Sequence, residues 1–340
     1  MLVHAILAAA RQTWPPFVLV AGLLLIGRVA HADGLFEAMG ARLARARLGA
    51  LPLLIALLGL VALVTAILNL DTSVAFLTPV LVHAARRRGL DERPFLYGSV
   101  FMSNAASLLL PGSNLTNLLV LQQAPQPGAA YAAHMLPAWL AACTITAVFV
   151  AVVFRLQPGE RVSEDAARLR LGIGAAATVA AAVLVVTLSN PALPVLAVAV
   201  TATALRRLRP RLDLRALSLL FLFAVVLGTV GRLWHWPAAM LDSSDAWSAA
   251  ALSALGSVLI NNLPAAVLLS AHPTAHPDAV LFGLDLGPNL AVTGSLSALL
   301  WLQAARTVGA RASIATYSRL GLVLVPASLG AALLVTGWWG

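Results

Sequence analysis

Residues 50–85 read ALPLLIALLGLVALVTAILNLDTSVAFLTPVLVHAA, an apolar run broken once by Asn69-Leu70-Asp71-Thr72. A second apolar run, at about 246–271, has the same form around Asn261-Asn262-Leu263-Pro264. Two arms that meet at a polar break favour a re-entrant hairpin, which enters and leaves a membrane on one side. Exposed backbone at such a break is tolerated only inside protein or beside a water-filled cavity.

The composition agrees with a membrane-embedded chain. Of 340 residues, 60% are hydrophobic and only 10% are charged, against about 25% charged in soluble domains. The mean hydropathy is +0.90. This excludes a soluble globule and a disordered chain. Apolar runs near the ~20 residues that span a bilayer as a helix, without strict alternation, predict an all-α integral membrane protein rather than a β-barrel.

Arginine sets the predicted topology. All 22 basic residues are arginine, and eight crossings with two re-entrant hairpins would put 19 of them on one face, leaving Arg11 and Arg232 on the other and Arg28 near the end of the first span. The positive-inside rule makes that face cytoplasmic. The chain is thus predicted in the cell (inner) membrane, with both termini outside. The predicted spans are 15–32, 93–121, 132–154, 170–188, 191–205, 213–231, 277–305 and 313–338.

The order of elements occurs twice, which predicts an inverted repeat. Residues 1–154 form the first repeat, with a hairpin at about 50–85. Residues 155–212 form a connector with two spans, and residues 213–340 form the second repeat, with a hairpin at about 246–271. The five crossings before the second repeat are an odd number, so this repeat enters upside down. Inverted repeats with discontinuous helices are typical of secondary transporters, whose sites lie where the breaks meet.

Four breaks carry nearly all of the intramembrane polarity. Glycine and proline free backbone groups there, while serine, threonine and asparagine supply donors and acceptors. The alternative is that these residues only join or kink helices. The predicted substrate-binding residues are Thr72, Ser73, Ser113, Asn114, Thr116, Asn261, Asn262, Asn289 and Thr293.

Two acidic residues, Asp71 and Asp285, lie within the apolar breaks. A carboxylate in a membrane costs at least ~2.5 kcal/mol, so it usually has a function. Each is predicted to act in ion coupling by binding a cation or carrying a proton. The alternative is that each caps the N-terminus of a half-helix.

Other classes of function lack their motifs. The chain has no G-x-S-x-G and no P-loop, and its histidines show no convincing metal-ligand spacing. The lone Cys143 excludes a multi-cysteine metal site. We therefore predict no catalytic residue, no resident metal, no cofactor other than a coupling proton or sodium ion, and no nucleic-acid partner.

Three segments carry a family resemblance. They are Leu70 to Pro79, then Ser103 to Leu108 with Ser113 to Leu118, and Asp285 to Asn289 with Gly294 to Leu302. Together with Asn261-Asn262-Leu263-Pro264 they resemble the arsenite/antimonite efflux permeases. Those permeases belong to the ion transporter superfamily, which also holds divalent-anion/sodium symporters. The resemblance covers roughly residues 17–338, and the D-L-G-P…G-S-L…L-L-W-L segment is its most specific part.

The resemblance implies a scaffold region, a transport region with both hairpins, alternating access and frequently a homodimer. A soluble ATPase partner is left open. The chain departs from the family in two ways. By the resemblance, we expect it to lack about two N-terminal spans that longer relatives have. It also has Leu70-Asp71-Thr72 where arsenite permeases typically show Asn-Asp-Gly.

Three functions remain open at this point. The first is a proton-coupled antiporter that exports arsenite or antimonite, whose neutral trihydroxide suits asparagine, serine and threonine. The second is a sodium- or proton-coupled carrier of an inorganic anion or a carboxylate. The third is a membrane subunit that does not transport.

Overall fold

The computed structural model describes residues 1–122, 126–156, 172–209 and 214–337. In these ranges the chain forms sixteen α-helices and three short 3₁₀ helices. Several positions of the predicted topology lie outside the described residues, including part of the connector. They are Arg161, Arg168, Arg170 and Arg211.

The first part of the chain holds nine α-helices in the described ranges. They are α1 (Leu2–Ala32), α2 (Leu35–Arg45), α3 (Ala50–Ile67), α4 (Leu70–Arg87), α5 (Arg93–Ala106), α6 (Leu115–Leu121), α7 (Gly128–Phe154), α8 (Ile173–Thr187) and α9 (Ala192–Leu205). A 3₁₀ turn, Pro111–Ser113, lies between α5 and α6.

The second part holds seven more α-helices in those ranges. They are α10 (Leu214–Leu233), α11 (Trp236–Asp242), α12 (Ala246–Ile260), α13 (Asn262–Leu269), α14 (Pro277–Leu286), α15 (Leu296–Thr307) and α16 (Ile314–Val335). Two 3₁₀ turns, Gly287–Leu290 and Val292–Gly294, lie between α14 and α15. The spans predicted at 93–121 and 277–305 are therefore each interrupted within the predicted polar breaks.

The first helix is longer than predicted. It begins at Leu2 rather than near residue 15, and Pro15 and Pro16 lie inside it. Proline removes a helical hydrogen bond, so the pair indicates a helix start when only the sequence is considered. Tertiary contacts hold the preceding turns in place, because Gln12 is buried and donates to the Leu119 carbonyl 3.0 Å away.

Both predicted hairpins fold back on themselves. The Ser73 hydroxyl on α4 donates to the Val61 carbonyl on α3 at 3.3 Å. In the second hairpin, a Cβ at Gly256 on α12 would lie 3.7 Å from the Ala265 Cβ on α13. Contacts between residues so placed require the chain to reverse at each break. Entry and exit on one membrane side stay a prediction, as does the crossing count.

Four described helices have the length and hydropathy to cross a membrane: α1, α3, α7 and α16. Shorter apolar helices are Ile173–Thr187, Ala192–Leu205, Leu217–Leu233 and Ala246–Ile260. The chain is therefore an all-helical, multi-pass membrane protein. One of the long helices, α3, is an arm of the first predicted hairpin.

In each part of the chain, the short helix that follows the break in an interrupted span packs against a hairpin of the other part. The second half-helix of the first part, α6, packs against α13 of the second hairpin. Its counterpart α15 packs against α4 of the first hairpin. The Trp301 indole on α15 is fully buried and donates to the Leu96 carbonyl at 2.8 Å. This reciprocal packing brings all four breaks toward the centre of the molecule.

Arginine side chains join several helix ends. Arg206 after α9 pairs with Asp33 after α1. At the end of α4, Arg86 donates to the Val308 carbonyl at 2.6 Å, and Arg88 donates to the Leu48 carbonyl at 2.7 Å. These ion pairs and bonds connect the chain segments that follow α1, α2, α4, α9 and α15.

Candidate functional site

Within the described ranges, four helices begin around one central cavity. They are α4, α6, α13 and α15, and their N-caps are Asn69, Asn114, Asn261 and Ser295. Each cap side chain accepts a hydrogen bond of 2.7–3.3 Å from a backbone amide of its own first turn. The remaining free amides give each start a partial positive charge.

The cavity has a volume of about 330 Å³. Its walls from α1 and α10 are apolar, with Phe17, Val20 and Leu24 on one side and Leu220 and Phe223 on the other. The polar lining comes from the four helix starts. It consists of Asp71, Asn114, Thr116, Asn261, Asn262, Ser295 and Ser297.

Asp285 lies behind this lining and is fully buried. Its Oδ1 accepts hydrogen bonds from Asn114 Nδ2 and Thr116 Oγ1, both at 2.7 Å. Its Oδ2 accepts a bond from Ser107 Oγ at 3.0 Å. The carboxylate is on α14, whereas its three donors are the C-cap of α5 (Ser107), the N-cap of α6 (Asn114) and a residue in the first turn of α6 (Thr116). Since Asn114 and Thr116 also line the cavity, Asp285 is one side chain away from it.

A second polar contact joins the same two breaks. Asn104 Nδ2 donates to Asn289 Oδ1 at 2.7 Å, and Asn289 Nδ2 donates to the Phe101 carbonyl at 3.4 Å. Both asparagines are buried. The two interrupted helices are therefore held to each other by two sets of side-chain hydrogen bonds, one around Asp285 and one between Asn104 and Asn289.

The structure brings five of the predicted site residues together in the cavity lining. One is the predicted coupling residue Asp71, which is half-buried there. The others are the predicted substrate-binding residues Asn114, Thr116, Asn261 and Asn262.

The remaining predicted residues lie outside the lining. Ser73 bonds the other arm of its hairpin, and Ser113 donates to the Leu110 carbonyl. Thr72 packs against Gly27, and its buried hydroxyl has no hydrogen-bond partner among the described residues. Asn289 lies behind the wall, and Thr293 donates weakly to the Val258 carbonyl at 3.4 Å.

The geometry decides how the two aspartates relate to helix capping. The cap of α4 is Asn69, whose Oδ1 accepts from the Thr72 amide at 2.7 Å, so Asp71 does not fill that role. Asp285 lies in the last turn of α14 and not at a helix start. The four helices that begin at the cavity thus have neutral caps, and neither Asp71 nor Asp285 is a helix cap.

Sequence reasoning left three polar residues out of the site. Ser295 and Ser297 line the cavity, and their hydroxyls are 2.7 Å apart. Ser107 holds Asp285 from behind. A serine directly before the apolar run of α15 is the signal of an N-cap. Among the described residues, no group of three histidine, cysteine or acidic side chains is placed to hold a metal.

Half-helices that start at a shared cavity, each packed on the hairpin of the other part of the chain, define a secondary transporter. The chain belongs to the citrate transporter family CitMHS, whose model matches residues 1–287. This is a family of transporters and not of enzymes.

Curated relatives and a solved structure agree with this class. The chain is 29% identical over 128 residues to the uncharacterized transporters MT2759 and Rv2685 of Mycobacterium tuberculosis, strains CDC 1551 and H37Rv. That match takes in 37% of this chain and 30% of either relative, so it spans less than a third of their length. The crystal structure of the Alcanivorax borkumensis YdaH transporter is similar in fold, with a TM-score of 0.61 and 15% identity. The similarity covers 98% of this chain and 87% of that one.

Proposed function

We propose that the protein is an ion-gradient-coupled transporter of a small carboxylate anion, which binds in the central cavity. The observation that carries this proposal is the convergence of four helix starts on one space of about 330 Å³. Helix N-termini attract anions through their free amides and their dipoles. Family membership and the space available, which exceeds the size of a small oxyanion, favour a carboxylate.

Coupling to a cation follows from the two carboxylates. An anionic solute would meet Asp71 in the lining and Asp285 directly behind it. Like charges in a site with little water repel each other strongly. A proton or a sodium ion that enters with the solute removes this repulsion, so solute binding and cation binding depend on each other.

The alternative within the superfamily is arsenite or antimonite export. A neutral trihydroxide would hydrogen-bond to Asn114, Asn261 and Asn262 without needing four helix N-termini. A membrane subunit that does not transport would need neither the asparagines nor the four helix N-termini at the cavity. The anion proposal uses both the charge and the shape of the cavity, and we therefore prefer it.

Flux in proteoliposomes tests the function directly. Uptake of citrate and smaller dicarboxylates is expected to respond to an imposed proton or sodium gradient, and arsenite and sulfate should be transported far more slowly. Arsenite flux without carboxylate flux would overturn the proposed substrate class. Absence of all solute flux from a folded protein would support the non-transporting alternative.

The asparagines of the lining give a site-directed test. Asn114→Ala, Asn261→Ala and Asn262→Ala should each weaken solute binding roughly five- to 150-fold, because an unpaired polar group in a dry site costs ~1–3 kcal/mol. The measurement is the solute concentration at half-maximal uptake. Asn190→Ala is the matched control, since Asn190 is an exposed loop residue away from this cavity. Wild-type affinity in all three variants would place the site elsewhere.

The inverted relation of the two repeats is supported by one pair of matching dipeptides. Gly27-Arg28 ends the first span and Gly231-Arg232 ends its counterpart in the second repeat. Arg28 lines a cavity with Arg209, whereas Arg232 bonds Gln12. Gln12 and Arg28 are both on α1, sixteen residues or about 24 Å apart. Matching positions therefore lie at opposite ends of the bundle.

Cysteine labelling tests the proposed topology in a Cys143→Ser background. Cysteines introduced at Arg87 and Arg209 should be shielded from impermeant thiol reagents in intact cells, because arginine-rich loops stay cytoplasmic. A cysteine at His235 should react. Labelling of all three positions to the same extent would contradict the eight-crossing topology.

A further inference from the structure

A polar cluster lies beyond the central cavity, where α1, α6, α10 and α13 meet. Its centre is the buried amide of Gln12. Gln12 Nε2 donates to the carbonyl oxygens of Leu119 at 3.0 Å and Ser270 at 3.2 Å, and Gln12 Oε1 accepts from Arg232 Nη2 at 2.5 Å. One side chain thus joins four helices. We call Gln12, Leu119, Arg232 and Ser270 the Gln12 cluster.

The chemistry of the cluster suits helix C-termini. Leu119 lies in the last turn of α6, and Ser270 is the C-cap of α13. Carbonyls at such ends lack donors from their own helix and carry partial negative charge. Gln12 supplies the missing N–H groups, and the Arg232 guanidinium adds a positive charge beside them. Two half-helices that start at the cavity are therefore held at their far ends by one amide.

From the cavity, the cluster lies toward the N-terminus of α1 and toward the C-termini of α6, α10 and α13. On α13, Asn262 lines the cavity and Ser270 follows eight residues later, about 12 Å along a helix. On α10, Phe223 lines the cavity and Arg232 lies nine residues further. The cluster is consequently on one side of the cavity, toward the N-terminus of α1.

Packing at this level leaves little room for water. A Cβ at Gly228 on α10 would lie 3.2 Å from both the Ala9 Cβ on α1 and the Val267 Cγ1 on α13. A Cβ at Gly231 would lie only 2.7 Å from the Ala271 Cβ. The three helices are therefore in close contact beside the Gln12 cluster.

We propose that the Gln12 cluster is a gate that closes the cavity on the side of the α1 N-terminus. Solute reaches that side only after the ends of α6 and α13 release Gln12. The proposal rests on the function proposed above for the cavity.

The gate is linked to the coupling carboxylate through α6. Thr116 in its first turn donates to Asp285, and Leu119 in its last turn accepts from Gln12. The helix has seven residues, so its two ends move together. Neutralising Asp285 weakens the bond at one end, and the resulting shift of α6 changes the bond at the other end.

Side-dependent labelling tests the gate without requiring transport. The background is Cys143→Ser, and Leu263→Cys reports from the cavity lining. Separate His4→Cys and Arg87→Cys proteins mark the two sides in oriented proteoliposomes. Gln12→Leu and Gln12→Glu should both increase labelling of the reporter from the His4 side roughly ten- to a hundredfold, because two donated bonds are lost.

The two substitutions separate loss of packing from loss of donors. Glutamate keeps the length of Gln12 and an acceptor for Arg232, yet it has no N–H for the two carbonyls. Thr13→Val is the matched control, because the buried Thr13 hydroxyl donates within its own helix, to the Ala9 carbonyl at 2.7 Å. The control should show the same low labelling from the His4 side as the reporter alone.

Two results would overturn the gate. One is unchanged labelling from the His4 side in Gln12→Glu, and the other is equal labelling from both sides before Gln12 is altered. The proposed function is tested separately by protection of the reporter with citrate. Lack of protection would mean that citrate does not bind in this cavity. Increased labelling from the His4 side in the Gln12 variants would support the gate independently of that result.

Discussion

Asp285→Asn is expected to abolish gradient-driven solute uptake while leaving the fold intact. Asparagine has nearly the shape of aspartate, and its Oδ1 can accept the bonds from Asn114 and Thr116. Its Nδ2 can donate to Ser107 Oγ, whose own proton then goes to the Asn104 carbonyl 2.8 Å away. The replacement keeps the hydrogen-bond count and removes only the titratable charge.

The measurement is uptake into proteoliposomes under an imposed proton or sodium gradient. An amide cannot bind and release a proton or a sodium ion as a carboxylate does, so gradient-driven uptake should fall to the background level of protein-free vesicles. Exchange of solute without an ion gradient should persist in part, because the cavity lining is unchanged. This split between driven uptake and exchange distinguishes a coupling residue from a merely structural one.

Asp285→Ala is the contrasting variant. It leaves the donors of Asn114 and Thr116 without the acceptor that Asp285 provides, at ~1–3 kcal/mol each, whereas the Ser107 hydroxyl keeps the Asn104 carbonyl. This variant should therefore lose folded protein as well as uptake. Asp71→Asn should also lower driven uptake, since Asp71 lines the cavity. Wild-type driven uptake in the double variant Asp71→Asn, Asp285→Asn would exclude both residues from coupling.

Local chemistry explains why the breaks were predictable from the sequence. Asn69, Asn114 and Asn261 interrupt apolar runs, and each caps the helix that follows it. Asparagine is a preferred N-cap residue, so its position in an apolar run already indicates that a helix begins there. The helix interruptions near Gly287-Pro288 follow in the same way. The all-helical membrane class needed only composition and run length, and the family match and the solved structure confirm it.

Contacts between distant segments carry no such signal. Thr116 and Asp285 are 169 positions apart, and Gln12 and Ser270 are 258 apart. Nothing in either local sequence indicates the partner. The same reason accounts for α1, since its first turns are fixed by buried Gln12 and not by their own propensity. It also explains Asn289, whose break was predicted but whose side chain turns to Asn104.

Gly321→Ala should sharply lower the yield of folded protein. Gly321 on α16 packs against the break between α14 and α15, and a Cβ there would lie 1.9 Å from the Asn289 carbonyl oxygen and 2.9 Å from the Leu290 Cα. These are backbone atoms, which cannot rotate away. Overpacking of a close-packed core costs about 1–3 kcal/mol and sometimes more. The break is also fixed by the Tyr317 hydroxyl, which donates to the Pro288 carbonyl at 3.0 Å.

Gly59→Ala is the matched control for this prediction. Gly59 is an exposed residue inside α3, and a Cβ there has no neighbour within 4 Å. Alanine is a better helix former than glycine by about 0.5–1 kcal/mol, so this variant should be as stable as the wild type or slightly more so. The measurement is the apparent melting temperature in detergent, followed by size-exclusion chromatography. If Gly321→Ala had the same melting temperature as Gly59→Ala and bound solute normally, close packing of α16 against the Asn289 backbone would not be needed to keep Asn289 behind the cavity wall.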